Sequence, residues 1–73
     1  MTKRKAKAQV VVAFGEKVRE MRKKQGYSQE ELGAKAKLHR TYIGMIERGE
    51  KNITLENIEK LAKALNSPVK NFL

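Results

Sequence analysis

His39, Arg40, Thr41 and Tyr42 place four side chains capable of hydrogen bonding at consecutive positions. An arginine fork can hold guanine O6 and N7 together, and a threonine can bond a base edge or touch a thymine methyl. The same stretch, "HRTYIGMIERG", then supplies only Ile43 and Ile46 as large aliphatics before Gly49. Taken as a helix with Arg40 as origin, Ile43 falls at ~300° and Ile46 at ~240°, so the buried side lies between them. Arg40, Thr41, Gly44, Met45 and Arg48 then face away, with Tyr42 on the flank. Gly44 costs up to ~1 kcal/mol of helix propensity relative to alanine. That cost is understandable where something must approach the backbone closely. Otherwise these are ordinary solvated residues around a tolerated glycine.

Glu47 falls at ~340°, within ~40° of Ile43, and so faces inward. A buried carboxylate needs a cation in good geometry. Arg22, one turn after Val18 on the preceding helix, could bridge to it bidentately. The local alternative is a half-exposed Glu47 paired with Lys51, four residues on.

No carboxylate pair, Ser–His–Asp set or glycine-rich phosphate loop is present to carry a reaction, so an enzyme is not expected. With no cysteine, disulfides and thiolate metal sites are excluded, which suits a reducing cytoplasm. The single histidine has no carboxylate cluster around it to complete a metal site. No cofactor, metal or small-molecule substrate is therefore expected.

The chain has 73 residues and a formal charge of +9, unevenly placed. Residues 1–25 hold nine Lys/Arg against Glu16 and Glu20, whereas residues 26–73 hold eight against six acids. Such a chain favours polyanions, chiefly nucleic acid or an anionic membrane surface. The start, "MTKRKAKAQVVVAFGEK", superficially resembles a signal peptide. Its apolar core, Val10 to Phe14, is too short and runs straight into charges, so export is not expected. No stretch is long enough to span a bilayer.

The elements that must position these residues read as helices. "MTKRKAK", residues 1–7, has no apolar face and is expected to be a flexible basic arm before a single domain at 8–73. Val11, Phe14, Val18 and Met21 then recur at helical spacing, and Gly26 follows a basic last turn as a stop. Ser28 and Glu31 form a capping box for a second helix with Leu32 and Ala36 as its apolar stripe. "KL" at 37–38 is a tight connection into the opening stretch, and Gly49 ends that third helix. Thr54 caps a fourth, whose Leu55, Ile58, Leu61, Ala62 and Leu65 form one face. Ser67 and Pro68 open a short fifth helix ending in Phe72 and Leu73. No alternating strand pattern appears. The expectation is an all-α fold of five helices. Its second and third have the layout of a helix-turn-helix, in which the latter enters the DNA major groove. Val69, Phe72 and Leu73 exceed what the fifth helix needs to dock. They predict a homodimer, unless all three only close the core.

The run "YSQEELGAKA…L…TYIGMIERGEKNIT" resembles the Xre/Cro-like helix-turn-helix family, with the similarity covering residues 14–73. Within it, "LHRTYIGMIERGEKNITLENIEKLAKAL" is most similar to the controller proteins of bacterial restriction–modification systems. The resemblance implies a lambda-repressor-like five-helix domain with the third helix as reader. It implies that Gln29 and the N-terminus of its helix anchor a phosphate, and that Arg40, Thr41 and Tyr42 meet bases or the adjacent backbone. Lys51 and Asn52 match further DNA contacts, and Arg22–Glu47 a structural salt bridge; His39, at the reader's N-terminus, is expected to make a cap or phosphate contact, with base readout the alternative. Dimerisation is implied through the Asn66–Leu73 region, including Val69 and Phe72, and the outer side of the fourth helix. Gly44 departs from the family pattern, where serine or a longer polar residue is common. The implied function is cytoplasmic regulation of transcription on a near-palindromic double-stranded operator, the protein acting on its own promoter and that of the endonuclease. A phage-type or chromosomal repressor of the same fold is the alternative, and an antitoxin-like protein-binding module is a further one.

Overall fold

A computed structural model of the chain describes the backbone from Thr2 to Phe72 and the side chains from Gln9 to Phe72. Helix α1 spans Thr2–Lys24, α2 Gln29–Ala36, α3 Arg40–Glu47 and α4 Leu55–Ala64, and a 3-10 helix follows at Val69–Phe72. The all-α expectation holds for the described residues, with four α-helices rather than five. The expected fifth helix is one 3-10 turn, in which Asn71 N–H donates to the Pro68 carbonyl at 3.0 Å. So short a segment closes the tighter i→i+3 bond more readily than an α-helical turn. The stretch 1–7, expected as a separate arm, is helical in its backbone from Thr2 onward. Lys, Arg and Ala cost a helix little, and no Gly or Pro interrupts them.

The helix ends follow local chemistry. Ser28 Oγ accepts from Glu31 N–H at 2.9 Å while Glu31 Oε1 accepts from Ser28 N–H at 2.8 Å, closing the capping box. Thr54 Oγ1 accepts from Asn57 N–H at 3.1 Å at the start of α4. Gly26, at φ +79°, turns the chain out of α1, with Tyr27 N–H reaching back to the Arg22 carbonyl at 3.1 Å. Lys37 closes α2 in the same left-handed conformation at φ 60°. There its Cβ costs about 1–2 kcal/mol that a glycine would avoid.

The core gathers Phe14 and Val18 from α1, Leu32 and Ala36 from α2, Ile43 and Ile46 from α3, and Ile58, Leu61, Ala62 and Leu65 from the α4 segment. Phe72 closes it, its ring centroid 5.9 Å from that of Phe14. Each large side chain removed from water contributes roughly 1.5–3 kcal/mol. Helix α3 lies against both α1 and α2, and α2 also packs on α4. Leu55, expected on the buried face of α4, is instead 72% exposed. It stands ~70° from the centre of the Ile58–Leu65 stripe and in the first turn, at the margin of the buried face.

Two glycines permit these close crossings. A Cβ on Gly15 would collide with the Ile46 carbonyl oxygen, and one on Gly33 would stand 2.5 Å from the Leu38 carbonyl oxygen. The α1–α3 crossing and the α2–α3 turn both need backbone-to-backbone approach that no side chain would allow.

Candidate nucleic-acid interface

Helix α3 buries Ile43 and Ile46 completely and leaves Arg40 and Thr41 exposed at its N-terminal end. His39 is the N-cap: its Nδ1 accepts from Thr41 N–H at 3.0 Å, replacing the hydroxyl or carboxylate more usual there. The imidazole is thereby engaged with the helix start and oriented by it. Arg40 Nη1 stands 3.9 Å from Glu30 Oε2, with both side chains more than 60% exposed. An ion pair so open contributes little, so the guanidinium can leave it for a stronger acceptor. Tyr42 is half-buried, and its Oη accepts from Asn57 Nδ2 at 2.9 Å. Lys51 and Asn52 lie exposed in the loop between α3 and α4, engaged in no side-chain hydrogen bond or ion pair among the described residues. Beside them, Arg48 Nε donates to Glu50 Oε2 at 3.0 Å. That hydrogen bond and the Glu50 charge raise the Arg48 pKa, leaving it cationic.

At the inner end of α3, Arg22 and Glu47 meet in a two-pronged pair. Nε donates to Oε2 at 2.6 Å and Nη2 to Oε1 at 3.1 Å, while Nη1 donates to the Tyr27 carbonyl at 2.7 Å. The local Lys51 alternative is not formed. Gln29 Nε2 adds a third donor to the carboxylate, reaching Oε1 at 3.0 Å. Glu47 thus ties the end of α1 and the start of α2 to the last turn of α3. No described buried side-chain nitrogen or oxygen lacks a partner.

This arrangement corrects the outward placement of Gly44. The residue is buried, and a Cβ there would stand 3.5 Å from Gln29 Oε1 and 3.1 Å from Arg48 Nη1. What stands over it is the Arg48 guanidinium and the Gln29 amide of the same chain. Gln29 itself, expected as a phosphate anchor, spends one N–H on Glu47. The capping box takes up Ser28 N–H and Glu31 N–H, so the backbone N–H groups of Gln29 and Glu30 stay directed out of the helix start. The Glu30 carboxylate shares that turn, and its proximity to Arg40 offsets part of its repulsion toward an anion.

The expected subunit contacts divide. Asn66 is exposed and Val69 half-buried, flanking an open groove of about 750 Å³ beside Glu56, Lys60, Lys63 and Pro68. Phe72 is only 4% exposed within the single chain, so its ring belongs to the core rather than to a partner. Leu73 lies outside the described residues.

Sequence reasoning missed Asn57, Gly15, Gly33 and Gln25, whose Nε2 donates to the Leu65 carbonyl at 2.6 Å. The glycines carried a signal, since a glycine inside a helical pattern asks what comes close to it. Asn57 and Gln25 carried none, because their partners lie 15 and 40 residues away. Among the described residues there is no acidic or histidine cluster able to hold a metal ion, and no helix long and apolar enough to cross a membrane.

Comparison with known proteins places the chain among helix-turn-helix proteins. Residues 18–71 match the helix-turn-helix family. The chain is 52% identical over 61 residues to control protein C.BamHI of Bacillus amyloliquefaciens, across 82% of this chain and 75% of that one. It is 50% identical over 60 residues to control protein C.SmaI of Serratia marcescens, across 82% and 71%. Its fold is similar to that of the restriction-modification controller protein C.AhdI from Aeromonas hydrophila. The TM-score is 0.85 and the identity 43%, over 86% of this chain and 96% of that one.

Proposed function

For a chain that belongs to the helix-turn-helix family, and within it to the restriction–modification control proteins, we propose a sequence-specific regulator of transcription that acts as a homodimer on a near-palindromic operator in the bacterial cytoplasm. Its targets are its own promoter and that of the partner endonuclease. One observation carries this reading: α3 is held from behind by Ile43, Ile46 and the Glu47 network, while Arg40 and Thr41 stand exposed at its leading end.

Recognition divides by chemistry. Arg40 reads a guanine edge through two parallel hydrogen bonds, and Thr41 and Tyr42 contact the neighbouring base or backbone. Lys51, Asn52, the His39 end of α3 and the start of α2 at Gln29 hold phosphates and fix the register. The basic residues of stretch 1–7 add charge and displace counterions on any sequence. Asn66, Val69 and the outer side of α4 face the second subunit, with Phe72 supporting them from inside. Two readers then enter successive major grooves ~34–36 Å apart.

Competition binding to the DNA upstream of the chain's own gene, against shuffled DNA, at two salt concentrations tests the assignment. Arg40→Ala is expected to cost ~1–3 kcal/mol on the operator and to relax the preference at one base pair per half-site. Lys51→Ala is expected to weaken both DNAs alike and to flatten the salt slope by about one unit. Equal affinity of the unsubstituted protein for both DNAs refutes specific regulation. An Arg40→Ala loss that is the same on every sequence moves the readout elsewhere.

A further inference from the structure

The Tyr42 hydroxyl is asymmetrically satisfied. A phenol has one proton to donate and two lone pairs to accept with. Asn57 Nδ2 fills a lone pair at 2.9 Å, and no described group accepts the phenolic proton. The geometry points to Asn57 as a positioning residue for DNA recognition: by donating to Tyr42 Oη it turns the phenol's proton outward, toward an acceptor atom of the operator. The inference rests on the reading of α3 as the recognition helix.

Asn57 is well placed for that task. It is the third residue of α4, and its own N–H is held by the Thr54 cap at 3.1 Å, so the backbone carrying the amide is fixed. Its side chain makes the sole side-chain hydrogen bond between α3 and α4 among the described residues. Tyr42 packs its ring on the core at its other end. Ring and hydroxyl oxygen are both immobilised, and one direction remains for the proton. Without Asn57 the hydroxyl rotates and accepts as readily as it donates. The acceptor in DNA is a base-edge nitrogen or oxygen, or a phosphate oxygen.

Asn57→Asp tests this by replacing the donor with an acceptor. The carboxylate takes the phenolic proton and reverses the hydroxyl, while an acid in the first turn of α4 favours the helix. Its added charge weakens DNA binding in any background, so the same substitution is made in Tyr42→Phe protein. With melting temperatures unchanged, Asn57→Asp is expected to weaken operator binding by a further ~3- to 10-fold when Tyr42 is present than in the Tyr42→Phe background, the span of one hydrogen bond. Tyr42→Phe alone is expected to lose a similar factor. A loss confined to one base pair per half-site identifies a base acceptor, and a uniform loss identifies a phosphate. Equal Asn57→Asp effects in the two backgrounds overturn the inference. So does an unchanged affinity of Tyr42→Phe; the recognition reading itself then stands or falls by Arg40→Ala on the same DNAs.

Discussion

Removing the Glu47 carboxylate should cost this protein more than any exposed substitution. In Glu47→Ala, Arg22 loses its acceptors for Nε and Nη2 and keeps only the Tyr27 carbonyl, while Gln29 Nε2 loses its partner. The two charged side chains are 10% and 3% exposed, so water does not readily replace what is removed. Stranding one partner of such a pair costs ~3–5 kcal/mol. At ~0.05–0.15 kcal/mol per residue, a chain of 73 residues has roughly 4–11 kcal/mol in total. The melting temperature should therefore fall by roughly 12–40 °C. Exchanging both partners, Arg22→Met with Glu47→Leu, should recover most of the loss, because no lone charge remains buried. Thermal unfolding followed by circular dichroism measures all three proteins. An unchanged melting temperature for Glu47→Ala, or a double variant as unstable as the single one, would refute this account of the pair.

Other perturbations separate scaffold from surface. Gly33→Ala should leave little folded protein, because its Cβ meets backbone 2.5 Å away. Gly44→Ala should stabilise by up to ~1 kcal/mol, since the Gln29 amide stands at ordinary contact distance and only the flexible Arg48 tip must yield. Equal chemical-denaturation midpoints for those two variants would contradict the assigned contacts. Lys37→Gly should raise stability by about 0.5–1 kcal/mol by relieving the left-handed residue, a gain that an unmoved urea midpoint would disprove. Phe72→Asp should unfold the chain rather than give a folded monomer, whereas Val69→Asp should stay folded and sediment as a monomer. A helical circular dichroism spectrum from Phe72→Asp would return that ring to the subunit interface.

What could be read from the sequence was chiefly what neighbours along the chain decide. Ser28–Glu31, Thr54, Gly26 and Gly49 act within a few residues, and their caps and stops stand where the letters place them. The buried phase of α3 was also legible, because Ile43 and Ile46 leave a short helix only one side to hide. The burial of Gly44 and Phe72 is not legible in the sequence, since each is covered in part by a distant segment: Gln29 beside the glycine, Phe14 against the ring. Leu55 falls at the edge of its stripe and yet is exposed, because helical angle says nothing of where the core stops. Ser67 and Pro68 signal a helix start, but the residues after them close only one 3-10 turn at Val69–Phe72.

The cap of His39 has a consequence for what this scaffold tolerates. Because that imidazole and the two isoleucines hold α3 in place, Arg40 and Thr41 contribute no packing. Exchanging them for other long polar residues costs the domain almost nothing, so the tip of α3 behaves as an interchangeable die on a fixed press. Tyr42 is outside that freedom, because its hydroxyl is tied to α4. Retargeting the protein to a new operator should therefore begin at positions 40 and 41 alone, and a change at 42 calls for a matching change at 57.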